Sequence, residues 1–75
     1  MYIMVGQSCP NCKMLKQMLG ENALRVQFID ASTNIDLCRE LGIKTIPALV
    51  KRNKDGQHEV VFDLGEIVSE VENAK

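Results

Sequence analysis

Two cysteines at residues 9–12, in the order Cys-Pro-Asn-Cys, stand where a short apolar segment gives way to an amphipathic one. Before them, residues 2–5 form an apolar run rich in strand-forming residues and followed by glycine, which predicts a buried strand. After them, apolar residues recur at helical spacing over residues 14–19 and stop at Gly20, a residue typical of helix ends. The sequence therefore predicts a strand, a loop that carries the first cysteine, and a helix over residues 10–20.

The rest of the chain continues the alternation of strand and helix patterns. The further predicted elements are a strand over residues 24–29, a helix over 34–41, two strands over 46–50 and 58–62 joined by a turn that contains Asp55-Gly56, and a helix after Asp63. We expect Thr33 or Ser32 to cap the second helix at its start, Gly42 to end it, and Asp63 to cap the third.

The predicted order is β-α-β-α-β-β-α. Because a helix joins the first two strands, these strands must be parallel, whereas the last two form an antiparallel hairpin. The expected fold class is therefore α/β, with a four-stranded mixed sheet flanked by three helices.

Length and charge limit the function further. The 75 residues, 45% of them hydrophobic, contain no repeat or linker and predict one domain over residues 1–75. The net charge of -1 lacks the basic field that nonspecific nucleic-acid binding requires, and no apolar run approaches the length of a membrane span. Residues 1–6 have no secretory signal pattern, so a cytoplasmic, reducing location is expected.

Cys9 is the predicted nucleophile. It falls immediately before a helix, where unsatisfied backbone N–H groups and the positive end of the helix dipole stabilise a thiolate. Such positions and Cys-X-X-Cys contexts lower a thiol pKa from about 8.5 to about 3.5–7.5. Pro10 suits the first helical position, and Cys12, about one turn further on, lies within reach of Cys9. The pattern indicates thiol–disulfide exchange, in which Cys9 attacks and Cys12 resolves the mixed disulfide.

Two other interpretations of the cysteines remain open. A purely structural disulfide would close a loop of four residues, which removes little chain entropy. A metal site would use Cys9, Cys12, Cys38 and His58, but zinc sites usually combine two close pairs of ligands, and here the last two residues are isolated in the sequence. Cys38 is otherwise expected to be a small core residue and His58 a solvated strand end.

These motifs, together with Gly-Ile-Lys-Thr-Ile-Pro at residues 42–47 before the hairpin, resemble the thioredoxin superfamily over essentially the whole chain. Cys-Pro-X-Cys and Thr-Ile-Pro are similar to glutaredoxins and to the small redoxins that serve ribonucleotide reductase. The resemblance implies a minimal thioredoxin fold in which Pro47 is cis and faces the active-site disulfide. It also implies that Thr45 and Ile46 offer backbone hydrogen bonds to an extended substrate beside Pro47.

The function that the resemblance implies is that of a dithiol–disulfide oxidoreductase, an enzyme that reduces disulfides as an electron carrier. It implies a redox-active disulfide between Cys9 and Cys12, no tightly bound cofactor and no metal. The expected partners are disulfide-containing proteins, with ribonucleotide reductase among the candidates, and glutathione or a reductase as the electron source. A monomer is expected. The alternative is a metal or iron–sulfur carrier that uses the same cysteines, as a dimer with glutathione.

Overall fold

Residues 1–73 are described by a computed structural model, and within them four strands and three α-helices follow the predicted order. The strands are β1 (Tyr2–Val5), β2 (Gln27–Asp30), β3 (Ala48–Arg52) and β4 (His58–Val61), and the helices are α1 (Pro10–Leu19), α2 (Ile35–Leu41) and α3 (Leu64–Asn73). The predicted domain extends to residue 75, and residues 74 and 75 lie outside the described residues.

The four strands form one mixed sheet in the order β2-β1-β3-β4. The central strand β1 pairs in parallel with β2 and antiparallel with β3, and β3 pairs antiparallel with β4. Both predicted pairings, the parallel first pair and the antiparallel hairpin, are confirmed. The fold class is therefore α/β with a four-stranded mixed sheet and three helices, compatible with a minimal thioredoxin-like fold.

One face of the sheet carries the main core. The register places Ile3 opposite Leu49 and Leu49 opposite Val61, and because paired residues project to the same side, these three side chains share a face. The residues that α1 and α3 contribute to this core are Leu15, Leu19, Ile67 and Val71. Burying each large apolar side chain contributes about 1.5–3 kcal/mol to folding, so this layer is the main source of stability.

The opposite face lies under α2. Met4 and Ala48 are paired across β1 and β3, and both are fully buried. Tyr2, two residues before Met4, projects to the same side. Burial, and after it the neighbouring Cys38 and Glu40 of α2, raises the pKa of Tyr2. Helices therefore cover both faces of the sheet, as predicted.

The second strand is shorter than predicted. Residues 24–29 were expected to be extended, but Gly20–Arg25 form a 3₁₀ helix that continues from α1. Leu24 is 91% exposed, so its alternation with Val26 does not mark a buried strand face. The backbone becomes extended only at Val26, where φ is -133° and ψ is 147°, and pairing with β1 begins at the next residue.

The N-cap prediction for the second helix was wrong. The residue before α2 is Asn34, and its side chain makes no capping hydrogen bond. Ser32 and Thr33 belong instead to a short 3₁₀ turn, in which the Asp30 carboxylate accepts a hydrogen bond from the Ser32 backbone N–H at 2.8 Å. Asp30, the last residue of β2, thus supplies the acceptor for the Ser32 N–H at the start of this turn.

The hairpin strands are shifted relative to the predicted ranges. β3 begins at Ala48 rather than at residue 46, because Pro47 has no N–H with which to extend the ladder, and it continues to Arg52. β4 ends at Val61, one residue before the predicted end. The predicted turn is confirmed: the Asn53 side chain accepts two backbone N–H groups, each at 3.1 Å, and Gly56 takes a φ of +82°.

Local signals at the helix ends are otherwise confirmed. Gly20 follows α1, and its N–H donates to the Lys16 carbonyl. Gly42 ends α2 with a left-handed φ of +73°, which a residue without a Cβ adopts readily. The Asp63 carboxylate accepts the Glu66 backbone N–H at 3.0 Å at the start of α3.

The longest described helices, α1 and α3, have ten residues each. None of the helices within residues 1–73 combines the length and the apolar content that crossing a membrane requires. The cytoplasmic location stays a prediction.

The core layer yields a stability prediction with a matched control. Leu15 is fully buried and Leu24 is 91% exposed, so both can be changed to Ala with the same loss of atoms. We expect Leu15→Ala to lower the free energy of unfolding by about 2–5 kcal/mol and Leu24→Ala to change it by no more than about 0.5 kcal/mol. Urea unfolding of the oxidised proteins measures both. Equal losses in the two variants would contradict the assigned core.

Candidate active site

Cys9 begins α1. Its backbone is extended, and its carbonyl oxygen accepts the N–H groups of Cys12 and Lys13 at 3.1 and 3.2 Å. Its Sγ also accepts the Cys12 N–H, at 3.1 Å, so the sulfur occupies the position of a capping side chain. Pro10 occupies the first helical position, as predicted. The sequence thus places a sulfur against the N-terminal N–H groups of a helix.

Cys9 and Cys12 are disulfide-bonded, with their Cα atoms 5.2 Å apart. Both residues are largely buried, but to different extents: Cys9 is 8% exposed and Cys12 is 2% exposed. Because Cys12 is covered by the helix, a reagent or substrate that approaches from solvent reaches Cys9 first. The division between an attacking and a resolving cysteine stays a prediction.

Residues 45–47, the segment predicted to bind substrate, lead past this disulfide to β3. The Ile46 carbonyl oxygen is 3.8 Å from the Cys9 Sγ, although 37 positions separate the two residues. The Ile46–Pro47 peptide bond is cis, as the resemblance implies. Thr45 is exposed, Ile46 is half-buried and Pro47 is buried. All three residues precede β3 and leave backbone outside the sheet ladder.

Gly6 lies at the site, although the sequence pattern predicted for it only the end of a strand. A Cβ added at Gly6 would lie 2.5 Å from Ile46 Cδ1 and 3.9 Å from the Cys9 Cβ. The glycine therefore allows the loop after β1 and the segment before β3 to approach each other. No local pattern marks this contact, because it depends on the pairing of β1 with β3.

A polar cleft of about 270 Å³ lies on the α1 side of the disulfide. It is lined by Cys12, Lys13 and Lys16 of α1 and by Asp30 at the end of β2. The Ser32 hydroxyl, which donates to the Asp30 carboxylate at 2.7 Å, holds the pKa of Asp30 below its usual range. Asp30 was missed as a site residue. Its position could have been predicted from the sequence, because it ends the predicted strand parallel to β1, and the carboxyl ends of parallel strands meet at the same end of a sheet.

The two lysine side chains of this cleft have different surroundings. The Lys16 ammonium lies 5.0 Å from the centre of the Phe28 ring, a cation–π distance, whereas Lys13 is exposed near the start of α1. The first turn of α1 contains no acidic residue. Within α1 itself, the charge nearest the helix N-terminus is therefore that of Lys13, which favours a thiolate there, while the Asp30 carboxylate of β2 lines the same cleft.

The four residues considered as metal ligands are not brought together. Within residues 1–73, no group of three or more His, Cys, Asp or Glu side chains is arranged to hold a metal ion. Cys38 is a free, half-buried thiol on α2, and His58 is exposed at the start of β4. A metal or iron–sulfur site that combines cysteines from two chains stays a prediction, which metal analysis of anaerobically purified protein tests.

Comparisons with known proteins add no relative to this description. The chain matches no protein-family model, no curated protein and no solved structure.

The contact of Gly6 with Ile46 predicts a specific energetic coupling. Gly6→Ala is expected to lower the free energy of unfolding by about 1 kcal/mol, because the new methyl group meets the end of the Ile46 side chain. Ile46→Val removes the Cδ1 atom at issue. The free energy of unfolding of the double variant should therefore fall by at least about 0.5 kcal/mol less than the sum of the two single losses.

Urea unfolding of the four proteins in the cycle, all oxidised, provides the measurement. Any effect of the glycine substitution on the unfolded chain cancels, because it is present in both backgrounds. Additive losses would show that the two residues do not press on each other.

Proposed function

We propose that this chain is a dithiol–disulfide oxidoreductase of the thioredoxin superfamily, similar to glutaredoxins, that reduces disulfides in proteins or small molecules. The observation that carries the proposal is the paired Cys9 and Cys12 at the N-terminus of α1, with the segment before a cis proline 3.8 Å from the Cys9 sulfur. A purely structural disulfide would need neither the helix N-terminus nor the neighbouring free backbone.

Cys9 is the attacking residue in this proposal, for two reasons. It is the more exposed of the two cysteines, and its sulfur accepts the Cys12 N–H at 3.1 Å. In the reduced protein the same N–H and the positive end of the α1 dipole stabilise the Cys9 thiolate. The thiolate is the form that performs thiol–disulfide exchange.

The reaction proceeds in two exchanges. The Cys9 thiolate attacks one sulfur of the substrate disulfide; that S–S bond breaks, the first substrate thiolate leaves, and a mixed disulfide forms between Cys9 and the substrate. The Cys12 thiolate then attacks the Cys9 sulfur, the mixed disulfide breaks, and the second substrate thiolate leaves. Each leaving thiolate takes a proton from solvent. The substrate has gained two electrons, and the chain carries the Cys9–Cys12 disulfide.

Thr45, Ile46 and Pro47 position the substrate. The backbone at Thr45 and Ile46 lies outside the sheet ladder and next to Cys9, so an extended peptide is able to pair with it as an added strand. Pro47, which is buried, shapes the groove from below. The substrate cysteine is thereby held beside the Cys9 sulfur.

The oxidised protein must be recharged by an external thiol. Glutathione or a dedicated reductase is the proposed electron source, and disulfide-bonded proteins, ribonucleotide reductase among them, are the proposed partners. The chain is proposed to act as a monomer in the cytoplasm with no tightly bound cofactor.

Replacing the resolving cysteine tests the mechanism. We expect Cys12→Ser to accumulate a stable mixed disulfide on Cys9 when it is offered an oxidised substrate, because the second exchange has lost its nucleophile. Cys9→Ser is the control, and it should form no adduct at residue 12, because Cys12 is only 2% exposed. Both variants carry Cys38→Ser, and mass mapping of proteolytic fragments locates the adduct. Absence of an adduct on Cys9 would refute the proposal.

A redox titration provides a second test on the unaltered chain. In buffers that span ratios of reduced to oxidised glutathione, Cys9 and Cys12 should interconvert as one reversible two-electron pair, while Cys38 takes no part in that transition. Thiol trapping followed by mass analysis monitors the three cysteines separately. A Cys9–Cys12 pair that does not respond across the series would leave the disulfide with a structural role only.

A further inference from the structure

A second groove opens beside the candidate active site, on the side of α2. We call it the α2 groove; its volume is about 320 Å³. The lining residues that matter here are Ile35, Cys38 and Arg39 of α2 and Ile43, Lys44 and Ile46 of the segment that leads to β3.

The groove has an apolar wall that is open to solvent. Ile35 is 55% exposed, although isoleucine is among the residues most often buried in folded proteins. Ile43 and Ile46 are half-buried and face the same groove. Together these three side chains offer a surface on which an apolar side chain from another molecule can be buried.

The groove also carries two cations. Arg39 and Lys44 are exposed, and neither forms an ion pair with a residue in the 1–73 range, whereas Lys51 on the sheet lies 3.0 Å from Glu70. No acidic side chain lines the groove. A ligand with an acidic group therefore finds two cations there that form no ion pair with a described residue.

Ile46 joins the α2 groove to the disulfide. Its side chain lines the groove, and its carbonyl oxygen lies 3.8 Å from the Cys9 Sγ. Successive residues of an extended peptide are about 3.3 Å apart. When the cysteine of such a peptide meets Cys9, its next one or two residues are therefore within reach of the groove.

We propose that the α2 groove selects the substrate: it binds an apolar residue and an acidic residue that flank the cysteine attacked by Cys9. This inference rests on the proposed function and narrows it to disulfides in acidic, apolar segments of proteins. The apolar residue packs against Ile35 and Ile43, and the acidic residue lies near Arg39 and Lys44.

Three short peptides test the inference. Each contains one cysteine joined by a disulfide to thionitrobenzoate, and the flanking residues are Glu-Leu-Cys-Leu-Glu, Gln-Ser-Cys-Ser-Gln or Lys-Leu-Cys-Leu-Lys. Attack of Cys9 on the peptide sulfur releases coloured thionitrobenzoate and leaves the peptide on Cys9, from which Cys12 displaces it. The second-order rate constant with reduced protein is divided by that with free dithiothreitol, which corrects for the intrinsic reactivity of each peptide.

We expect the Glu-Leu peptide to react about tenfold faster than the Gln-Ser peptide, with the Lys-Leu peptide in between or slower. Lys44→Glu should remove most of the advantage of the Glu-Leu peptide over the Lys-Leu peptide. Lys54→Glu, which makes the same charge change in the distant hairpin turn, should leave that ratio within about twofold. Ile35→Ser should lower the advantage of the Glu-Leu peptide over the Gln-Ser peptide, and Leu24→Ser should not.

A second readout uses the thiol inside the groove. For this readout the Cys12→Ser variant retains Cys38. When it carries a trapped Glu-Leu peptide on Cys9, alkylation of Cys38 should be slowed about fivefold or more relative to the same variant without peptide. The trapped Gln-Ser peptide should give less protection.

The outcomes separate the two proposals. If all three peptides react equally after normalisation, or if Lys44→Glu and Lys54→Glu have the same effect, the α2 groove does not select substrate and the oxidoreductase proposal stands. If none of the peptides releases thionitrobenzoate faster with the unaltered chain than with Cys9→Ser, the oxidoreductase proposal itself fails.

Discussion

The pairing of the central strand β1 is the constraint on which the site depends. β1 runs parallel to β2 and antiparallel to β3, so the end of β1, the end of β2 and the start of β3 meet at one end of the sheet. Cys9 lies in the segment that follows β1, Asp30 ends β2, and Ile46 lies in the segment that precedes β3. Backbone hydrogen bonds thus bring together residues that are far apart in the sequence. The same pairing also leaves Pro47 outside the ladder, where its missing N–H costs no hydrogen bond.

The start of α1 combines a structural and a chemical requirement in one residue. Helix N-termini favour Asp, Asn, Ser or Thr, whose oxygen accepts a backbone N–H. Here the Cys9 sulfur takes that position and accepts the Cys12 N–H. A sulfur is a weaker hydrogen-bond acceptor than these oxygens, but the thiolate is the form that performs disulfide exchange. The N–H groups at the start of the helix, which the sulfur caps, also stabilise the negative charge of a thiolate. Under the proposed function, the residue at this position favours reactivity over helix stability, a balance typical of functional sites.

The sequence predicted the class of the fold, the order of its elements and the position of the cysteine pair, because these depend on contacts within a few residues. Helical spacing identified the buried positions of α3 but only part of the buried face of α1, because Met14 and Met18 share the predicted pattern and are 50% and 48% exposed. Pro10 and Asp63 marked where those helices begin. The same reasoning failed between α1 and β2, where an exposed Leu24 imitated a strand alternation. It failed again before α2, where Asp30 rather than Ser32 or Thr33 supplied the acceptor for the turn. At Leu24 the deciding factor is burial, which depends on the rest of the fold, whereas before α2 it is a local hydrogen bond between residues two positions apart.

The sequence by itself determined that a cysteine pair stands at a helix N-terminus next to a strand, because four consecutive residues and their flanking patterns carry that information. Only the tertiary structure decided what surrounds the pair. The contact of Gly6 with Ile46 and the polar cleft near Asp30 join segments that approach through sheet pairing rather than through neighbourhood in the chain. The α2 groove is lined by residues 31–46, and its shape depends on how α2 packs against the segment that leads to β3. Helix caps and turns are local and recur in recognisable patterns, whereas the shape of a groove depends on how whole elements pack, which no short sequence pattern encodes.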